Sequence, residues 1–392
     1  MTVFSNSKAA SSVRNLRRLL CAGMASAAMF APLSAAHAAG TLKFGDEGSI
    51  SIGAGIRGDF TSDEHGASDG SRSNSFNLES IRLYVNANLT KSIAATFNTE
   101  KDGNDNIKVL DAYARFEPRD EFNVWVGRML PPTDRANLDG PYFLSSWTYP
   151  GLVSQYPAKF AGRDDGITVW GKVFEKKLTY AVGVFNGHNR IAGASNQGHS
   201  PLIAGRVAFN FWDVEDNPAY YTSSTYYGGA NVLTLALVAL SQKDAIGTAA
   251  RKGDYFGWNV DALMEKKVGN GGAITLEGAY YDYDTDNLVD VAPGYNGAGP
   301  LANVGGLTQG KGYLGSVAFL FPTEVGYGKF QPVFRYQHFN VDLTDRTSKQ
   351  YDFGLNYIIK GHNARLSGVY SHATTERAPS NDKVILGVQL QF

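Results

Sequence analysis

The strongest constraint in this chain is a two-residue period that returns along most of its length. ISIGAGIRGDF sets Ile50, Ile52, Ala54, Ile56 and Phe60 on one face, and Ser51, Arg57 and Asp59 on the other. IRLYVNANL opposes Ile81, Leu83, Val85, Ala87 and Leu89 to Arg82, Tyr84, Asn86 and Asn88, and VLDAYARF opposes Leu110, Ala112, Ala114 and Phe116 to Asp111, Tyr113 and Arg115. In DKVILGVQLQF, Val384, Leu386, Val388, Leu390 and Phe392 fall on one face, and Lys383, Gln389 and Gln391 take the opposite phase. Side chains alternate faces only in extended backbone, so each such stretch predicts a strand with one apolar and one polar face. About sixteen stretches of roughly ten residues read this way.

Any membrane crossing would have to be made by these strands. Within residues 39–392 no apolar run reaches 18 residues, and NVLTLALVAL is the strongest. In hydrocarbon, strands are tolerated only where a closed sheet pairs every backbone group. The expected fold class is therefore all-β: a closed antiparallel transmembrane β-barrel of about sixteen strands. Sixteen strands leave an interior wide enough for water, whereas eight are filled by side chains.

Residues 1–38 read as a secretory signal peptide. Lys8, Arg14, Arg17 and Arg18 precede LLCAGMASAAMFAPL, which ends in the small-residue site Ala36-His37-Ala38. This segment holds the only cysteine, Cys21, four of the 36 Lys plus Arg and none of the 37 Asp plus Glu, leaving 32 − 37 = −5 for residues 39–392. That balance excludes a nucleic-acid binder, and the absence of further cysteine excludes disulfide, iron–sulfur or c-type haem frameworks. No cofactor or metal is expected.

The joins support a barrel. Those near 89–93, 117–120, 174–177 and 360–362 are short, while those at 61–75, 129–164, 187–201, 243–254 and 284–310 are long and rich in Gly, Asn and Asp. Alternation of short and long joins is expected when turns lie at the periplasmic rim and loops reach outward. VEDNPAYYTSSTYYGG, residues 214–229, breaks the rule, being long where a short turn is due. A soluble sandwich is the competing fold. The polar faces carry Arg57, Arg82, Arg115, Arg206, Arg335 and Arg365 beside Tyr84, Trp125 and Trp170. This mixture suits the wall of a wet lumen.

Residues 129–164 are the candidate constriction. Pro131, Pro132, Pro141, Pro150 and Pro157 fix φ repeatedly, and Phe143, Trp147, Tyr149 and Tyr156 can anchor the loop against an inner wall. Arg57, Arg82, Arg115, Arg128 and Arg365 fall in inward phase and are the pore-lining candidates. Asp134, Arg135, Asp139, Lys159 and Arg163 are the candidates on the loop. With Asp134 and Asp139 facing the arginines, a transverse field would bias passage toward small anions. Asp59, Glu100, Asp111, Asp261 and Glu277 are also in inward phase, so the arginines have a second available role as paired struts.

Several stretches resemble the phosphate-selective porin O/P family of Gram-negative outer membranes. VLDAYARFEPRDEFNVWVGRMLPP, residues 109–132, is similar to its strand–turn–strand leading into the third loop. TYAVGVFNGHN, residues 179–189, and FGLNYIIKGHNARLSGVY, residues 353–370, are similar to an Asn-Gly loop and a C-terminal hairpin of that family. The resemblance implies a sixteen-stranded channel with its third loop folded into the lumen, assembled as homotrimers among outer-membrane lipids. It also implies lysine- and arginine-rich surfaces that guide anions. Here Arg135, Lys159 and Arg163 are mixed with Asp134, Asp139, Asp164 and Asp165. The expectation is passive diffusion of small hydrophilic solutes and ions with weak anion preference.

A hydrolase would need Ser, His and an orienting residue together, but the histidines beyond the signal, His65, His188, His199, His338, His362 and His372, lie mostly in loops or at rims. A barrel sheathing a separate cytochrome, or one with a structural or adhesive role, remains an alternative to the porin.

Overall fold

The computed structural model describes residues 40–153, 156, 160–288 and 308–392. The proposed signal at 1–38 and the loop candidate Lys159 lie outside the described residues. Seventeen strands run in chain order: β1 (Gly40–Phe44), β2 (Gly48–Asp63), β3 (Ser73–Asn88), β4 (Ile93–Lys101), β5 (Ile107–Arg119), β6 (Phe122–Met129), β7 (Asp164–Val173), β8 (Leu178–Phe185) and β9 (Leu202–Asn210). They continue with β10 (Val232–Thr248), β11 (Arg251–Val268), β12 (Gly272–Asp284), β13 (Gly310–Leu320), β14 (Lys329–Val341), β15 (Arg346–Lys360), β16 (Ala364–Thr375) and β17 (Asn381–Gln391). The helix α1 (Arg135–Phe143) lies between β6 and β7 and is interrupted at Gly140, where φ is 65°.

Strands β2–β17 form a closed antiparallel ring, each paired with its neighbour in sequence and β17 returning to β2. The closing seam is shared. β17 pairs with β2 from Lys383↔Asp63 to Gln391↔Gly55, and Phe392 and Ala54 exchange both backbone hydrogen bonds at 2.7 and 2.9 Å. Two residues further along β2, β1 takes over the same edge with Gly40↔Ile52. The edge of β2 that β17 leaves is thereby covered, which in a lipid environment removes unsatisfied amides and carbonyls.

The period-two expectation is met face by face. On β17, Val384, Leu386, Val388 and Leu390 are exposed on the outside, while Gln389 and Gln391 are buried within. Exposed aromatics mark both ends of the outer surface. Phe116, Phe122, Phe174, Phe211, Phe321 and Phe392 lie at the ends bearing the short turns, here the lower rim. Tyr313, Tyr336 and Tyr351 pack across neighbouring strands nearer the other rim, with ring centroids 5.9 and 4.9 Å apart. Apolar bands bounded by aromatic girdles at the two interfaces characterise a transmembrane barrel.

Two features depart from the sequence pattern, one in a join and one on the inward faces. Residues 243–254 are not a long loop: β10 and β11 run on to Thr248 and Arg251, leaving 249–250 as the turn. A bulge between Gln242 and Ile246 interrupts the alternation there. The inward faces are also not uniformly wet. Tyr113, Trp125 and Trp170 stack inside the barrel and are buried, Trp125 lying 4.6 Å from Tyr113 and 5.6 Å from Trp170. Leu130, Leu138, Leu144, Leu152 and Tyr156 join this interior core.

Candidate functional site

The described residues between β6 and β7 lie inside the ring, and the reason is visible in their hydrogen bonds. Most of residues 130–153 are buried, and a buried irregular backbone must find partners for its carbonyls. The wall supplies them from inward-facing Arg, Gln and Asn side chains. Arg57 Nη2 on β2 donates to Trp147 O at 2.6 Å, Arg335 Nη1 on β14 to Thr148 O at 2.7 Å, and Arg365 Nη1 on β16 to Leu144 O at 2.5 Å. Asn356 Nδ2 on β15 donates to Ser145 O at 2.8 Å and Gln389 Nε2 on β17 to Tyr142 O at 2.9 Å. On β9, Arg206 Nη1 donates to Thr133 O at 3.0 Å. The loop is thus laced to strands all round the ring.

Trp147 is the main anchor on one side. Its Nε1 donates to Asp59 Oδ2 at 2.7 Å, and the Arg57 guanidinium lies 3.9 Å from its ring centroid. The wall is thinned to receive it, since a Cβ on Gly387 would come within 2.6 Å of the indole. Gly55 plays the same part beneath Tyr142, where a Cβ would meet the ring at 2.8 Å.

Helix α1 begins on the other side. Asp134 caps it, its Oδ2 accepting from Asn137 N at 3.2 Å. Arg135 is 1% exposed and sits in a chain of charges. Its Nη1 and Nη2 reach the Glu215 carboxylate at 2.7 and 3.0 Å, its backbone N donates to Asp261, and Asp261 is held by Arg206 at 2.5 and 3.0 Å. Burial and the charge of Asp261 push the Asp134 carboxyl up to about 7. Burial, then Glu277, raises Asp139 well above the ordinary carboxylate range. Burial also opposes ionisation of Glu215, but the adjacent Arg135 guanidinium holds it below its ordinary value.

The pore-lining candidates divide into two kinds. Arg82 pairs with Glu100 at 2.6 Å, Arg128 with Asp165 at 2.7 Å, and Arg115 lies 3.7 Å from Glu117 near the lower rim. On the loop, Arg163 pairs with Asp111 at 3.1 Å. Arg57 and Arg365 instead hold loop carbonyls, and among the described residues no carboxylate lies within 4.0 Å of either guanidinium. Asp134 and Asp139 do not make their contacts with the arginines of β2, β3 and β16. Asp134 accepts from Tyr281 on β12 and Asp139 from Ser224, beside Asp261 and Glu277 on the far side of the ring. The cause is the helix: capping α1 fixes Asp134, and Arg135 turns toward Asp261 and Glu215. Above the loop a cavity of about 490 Å³ is lined by both signs of charge, Arg57, Arg82, Lys101 and Lys383 with Asp59, Glu79 and Glu100, beside Trp147 and Tyr149.

Some of the residues that build this arrangement carried little signal in the sequence. Gln389, Asn356 and Gln337 are inward-phase amides, and only their phase marks them. Glu215 lies in the anomalous join, which also turns into the barrel. Tyr220 OH donates to Leu130 O at 2.7 Å and Ser224 Oγ to Asp139 Oδ2 at 2.6 Å.

These features define the class: a closed sixteen-strand transmembrane β-barrel whose lumen holds chain segments of its own. A family model described as phosphate-selective porin O and P matches residues 307–392, a stretch that includes β13 to β17. An uncharacterised protein of Aquifex aeolicus (strain VF5) is 31% identical over 87 residues, which is 21% of this chain and 20% of that protein. The fold is similar to the anion-selective porin from Comamonas acidovorans, with a TM-score of 0.58 and 14% identity over 88% of this chain and 100% of that one. It is also similar to the trimer form of OmpT from Vibrio cholerae, with a TM-score of 0.52 and 12% identity over 88% and 100% of the two chains.

Proposed function

We propose that this protein is a porin of a Gram-negative outer membrane, passing small hydrophilic solutes and ions by diffusion with a weak preference for anions. Passive passage needs a wetted path, a constriction and a field rather than a nucleophile or base. Residues 129–164 are the constriction in this reading. The observation that carries it is the pair Arg57 and Arg365, whose charges flank Trp147 at 3.9 and 6.0 Å with no carboxylate partner among the described residues. Opposite them, around α1, Asp261 and Glu215 are matched by Arg206 and Arg135, and burial disfavours ionisation of Asp134 and Asp139. The polarity across the lumen in this reading comes from the unmatched positive pair.

The match at residues 307–392 supports membership of the porin O/P family, and the anion-selective porin of similar fold supports the direction of selectivity. A homotrimer is consistent with the trimer form of the Vibrio protein. A dedicated phosphate site is not expected, because most loop and wall cations are neutralised by nearby Asp or Glu. The cytochrome-sheath reading is disfavoured because the bore is occupied by the chain's own segments. Reversal potentials in a KCl gradient across planar bilayers test the proposal. A modest anion preference is expected, strong cation preference would refute the arginine argument, and saturation by low phosphate would refute weak selectivity.

A further inference from the structure

The join between β9 and β10 departs from every other join at the lower rim. Its neighbours there are short, such as 120–121, 269–271 and 361–363. The ladder of β9 and β10 continues past the strand ends, with Asp213 N donating to Asn231 O at 2.9 Å and Asn231 N to Asp213 Oδ2 at 2.8 Å. Residues 214–230 therefore leave the barrel wall and return to it at one place, as an Ω-loop does.

Their contacts show where they go. Tyr220 and Tyr221 pack on Trp125 of β6, with centroids 5.4 and 5.9 Å away. Lys172 of β7 donates to Asn217 O at 2.7 Å. Glu265 of β11 accepts from Thr225 Oγ1, Tyr226 N and Gly228 N at 2.7–2.9 Å. His362, in the turn between β15 and β16, hydrogen-bonds Thr225 O at 2.9 Å and lies 4.7 Å from the Tyr227 ring. In a ring of sixteen strands, β6 and the β15–β16 turn are nearly opposite. A segment touching both must cross the lumen.

At its inner end the segment meets α1. Arg135 binds Glu215 and donates to Ser223 O at 2.9 Å. Thr222 Oγ1 donates to Arg135 O at 3.0 Å, Ser224 N to Phe143 O at 3.1 Å, and Ser224 Oγ to Asp139 Oδ2 at 2.6 Å. Ser223, Ser224 and Thr225 are each 2% exposed or less, although they belong to a turn composition. The joint with α1 is made of short polar side chains and one ion pair, while Tyr220 and Tyr221 pack toward the β6 wall and Tyr227 toward His362. The polar contacts with α1 can part while the aromatic ones at the wall stay in place.

We propose that residues 214–230 form a plug that enters from the lower rim, docks on α1 and sets the open cross-section together with the third loop. This rests on the porin reading above. Solute must pass beside the joint or wait for the plug to leave it, so the second barrier lies below the arginines.

The test is single-channel recording on the full chain and two variants. In the first, residues 214–230 are replaced by an Asn-Gly turn joining Asp213 to Asn231, a connection that suits a two-residue hairpin. In the second, Ser224→Asp sets another carboxylate beside Asp139 and undocks the plug without shortening the chain. Heat-modifiable mobility on gels reports whether each barrel has formed. Both folded variants should show conductance raised roughly twofold or more, and should pass larger neutral polymers than the unaltered protein does. If the deletion does not fold, Ser224→Asp decides. A conducting parent with unchanged folded variants would overturn the plug and leave the porin standing. Silence in all three proteins would overturn the porin reading and the plug with it.

Discussion

Glu100 offers the sharpest test of how the barrel wall is held, because the ladder between β3 and β4 stops at Tyr84↔Asn98 while β3 continues upward. Above that point the Glu100 side chain stands in for missing backbone pairing. Its Oε1 accepts from Ile81 N at 2.9 Å and Lys101 N at 3.1 Å, and its Oε2 from Ser80 Oγ at 2.7 Å and Arg82 Nε at 2.6 Å. Glu100→Ala removes all four bonds and leaves the Arg82 guanidinium buried without its carboxylate. Breaking a buried pair costs about 3–5 kcal/mol, and an orphaned amide adds about 1–3 kcal/mol. Water from the adjoining cavity reaches Arg82 once the carboxylate is gone, so the lower part of the summed range applies, about 4–5 kcal/mol. Glu100→Gln keeps an acceptor for Ile81 and should lose only about 1–2 kcal/mol. Urea unfolding in lipid vesicles measures the loss, and amide exchange at Ile81 locates it. An alanine variant within about 0.5 kcal/mol of the parent, with Ile81 exchange unchanged, would refute the claim that a side chain completes this seam.

Three further outcomes follow from the loop and the seam. Gly387→Leu must displace Trp147, and Trp147→Ala removes the ring itself; each should free the third loop for protease cleavage and increase current noise, with the truncation costing about 3 kcal/mol or more of docking energy. Docking should also depend on pH. Asp134 is held near 7 in the folded loop against 3.8 when free, so the docked state retains a proton that the released loop has lost. Its stabilisation is complete below about pH 4 and is lost as pH rises through about 7. Asp261 and Tyr281 face this carboxyl from β11 and β12, and Arg206 from β9; Glu215 has the opposite sign, with its window below the ordinary glutamate value. Loop proteolysis should therefore quicken from pH 5 to pH 8, and Asp134→Asn should flatten that rise. Deleting Phe392 removes two backbone bonds from the closing seam, about 1–3 kcal/mol in all, and should slow barrel formation in vesicles as followed by gel mobility.

The strands were legible because lipid imposes the same demand at each crossing. Val384, Leu386 and Val388 announce their side of the sheet without knowledge of any partner. Where lipid does not reach, the signal fades. Ser241 and Gln242 extend β10 beyond the apolar band, and the bulge between Gln242 and Ile246 breaks the phase, so the stretch resembles a loop. The short strand β1 lacks the length for a period to show. The lumen is harder for a different reason. Arg57 and Arg365 read correctly as inward, but inward phase does not distinguish an arginine bound to a loop carbonyl from one paired with a carboxylate. The join at 213–229 was visible as an anomaly of length. Its destination depends on Arg135 meeting Glu215 and on Ser224 meeting Asp139, contacts between segments about eighty residues apart that no local pattern encodes.

The central claim is that one phase of each strand contacts lipid and the other faces the loop-filled interior. Nitroxide labels placed singly from Val384 to Gln391 in reconstituted protein test it most directly. Collision with oxygen should be high at 384, 386, 388 and 390 and low at 385, 387, 389 and 391. A profile along β17 without this twofold rhythm would contradict the account.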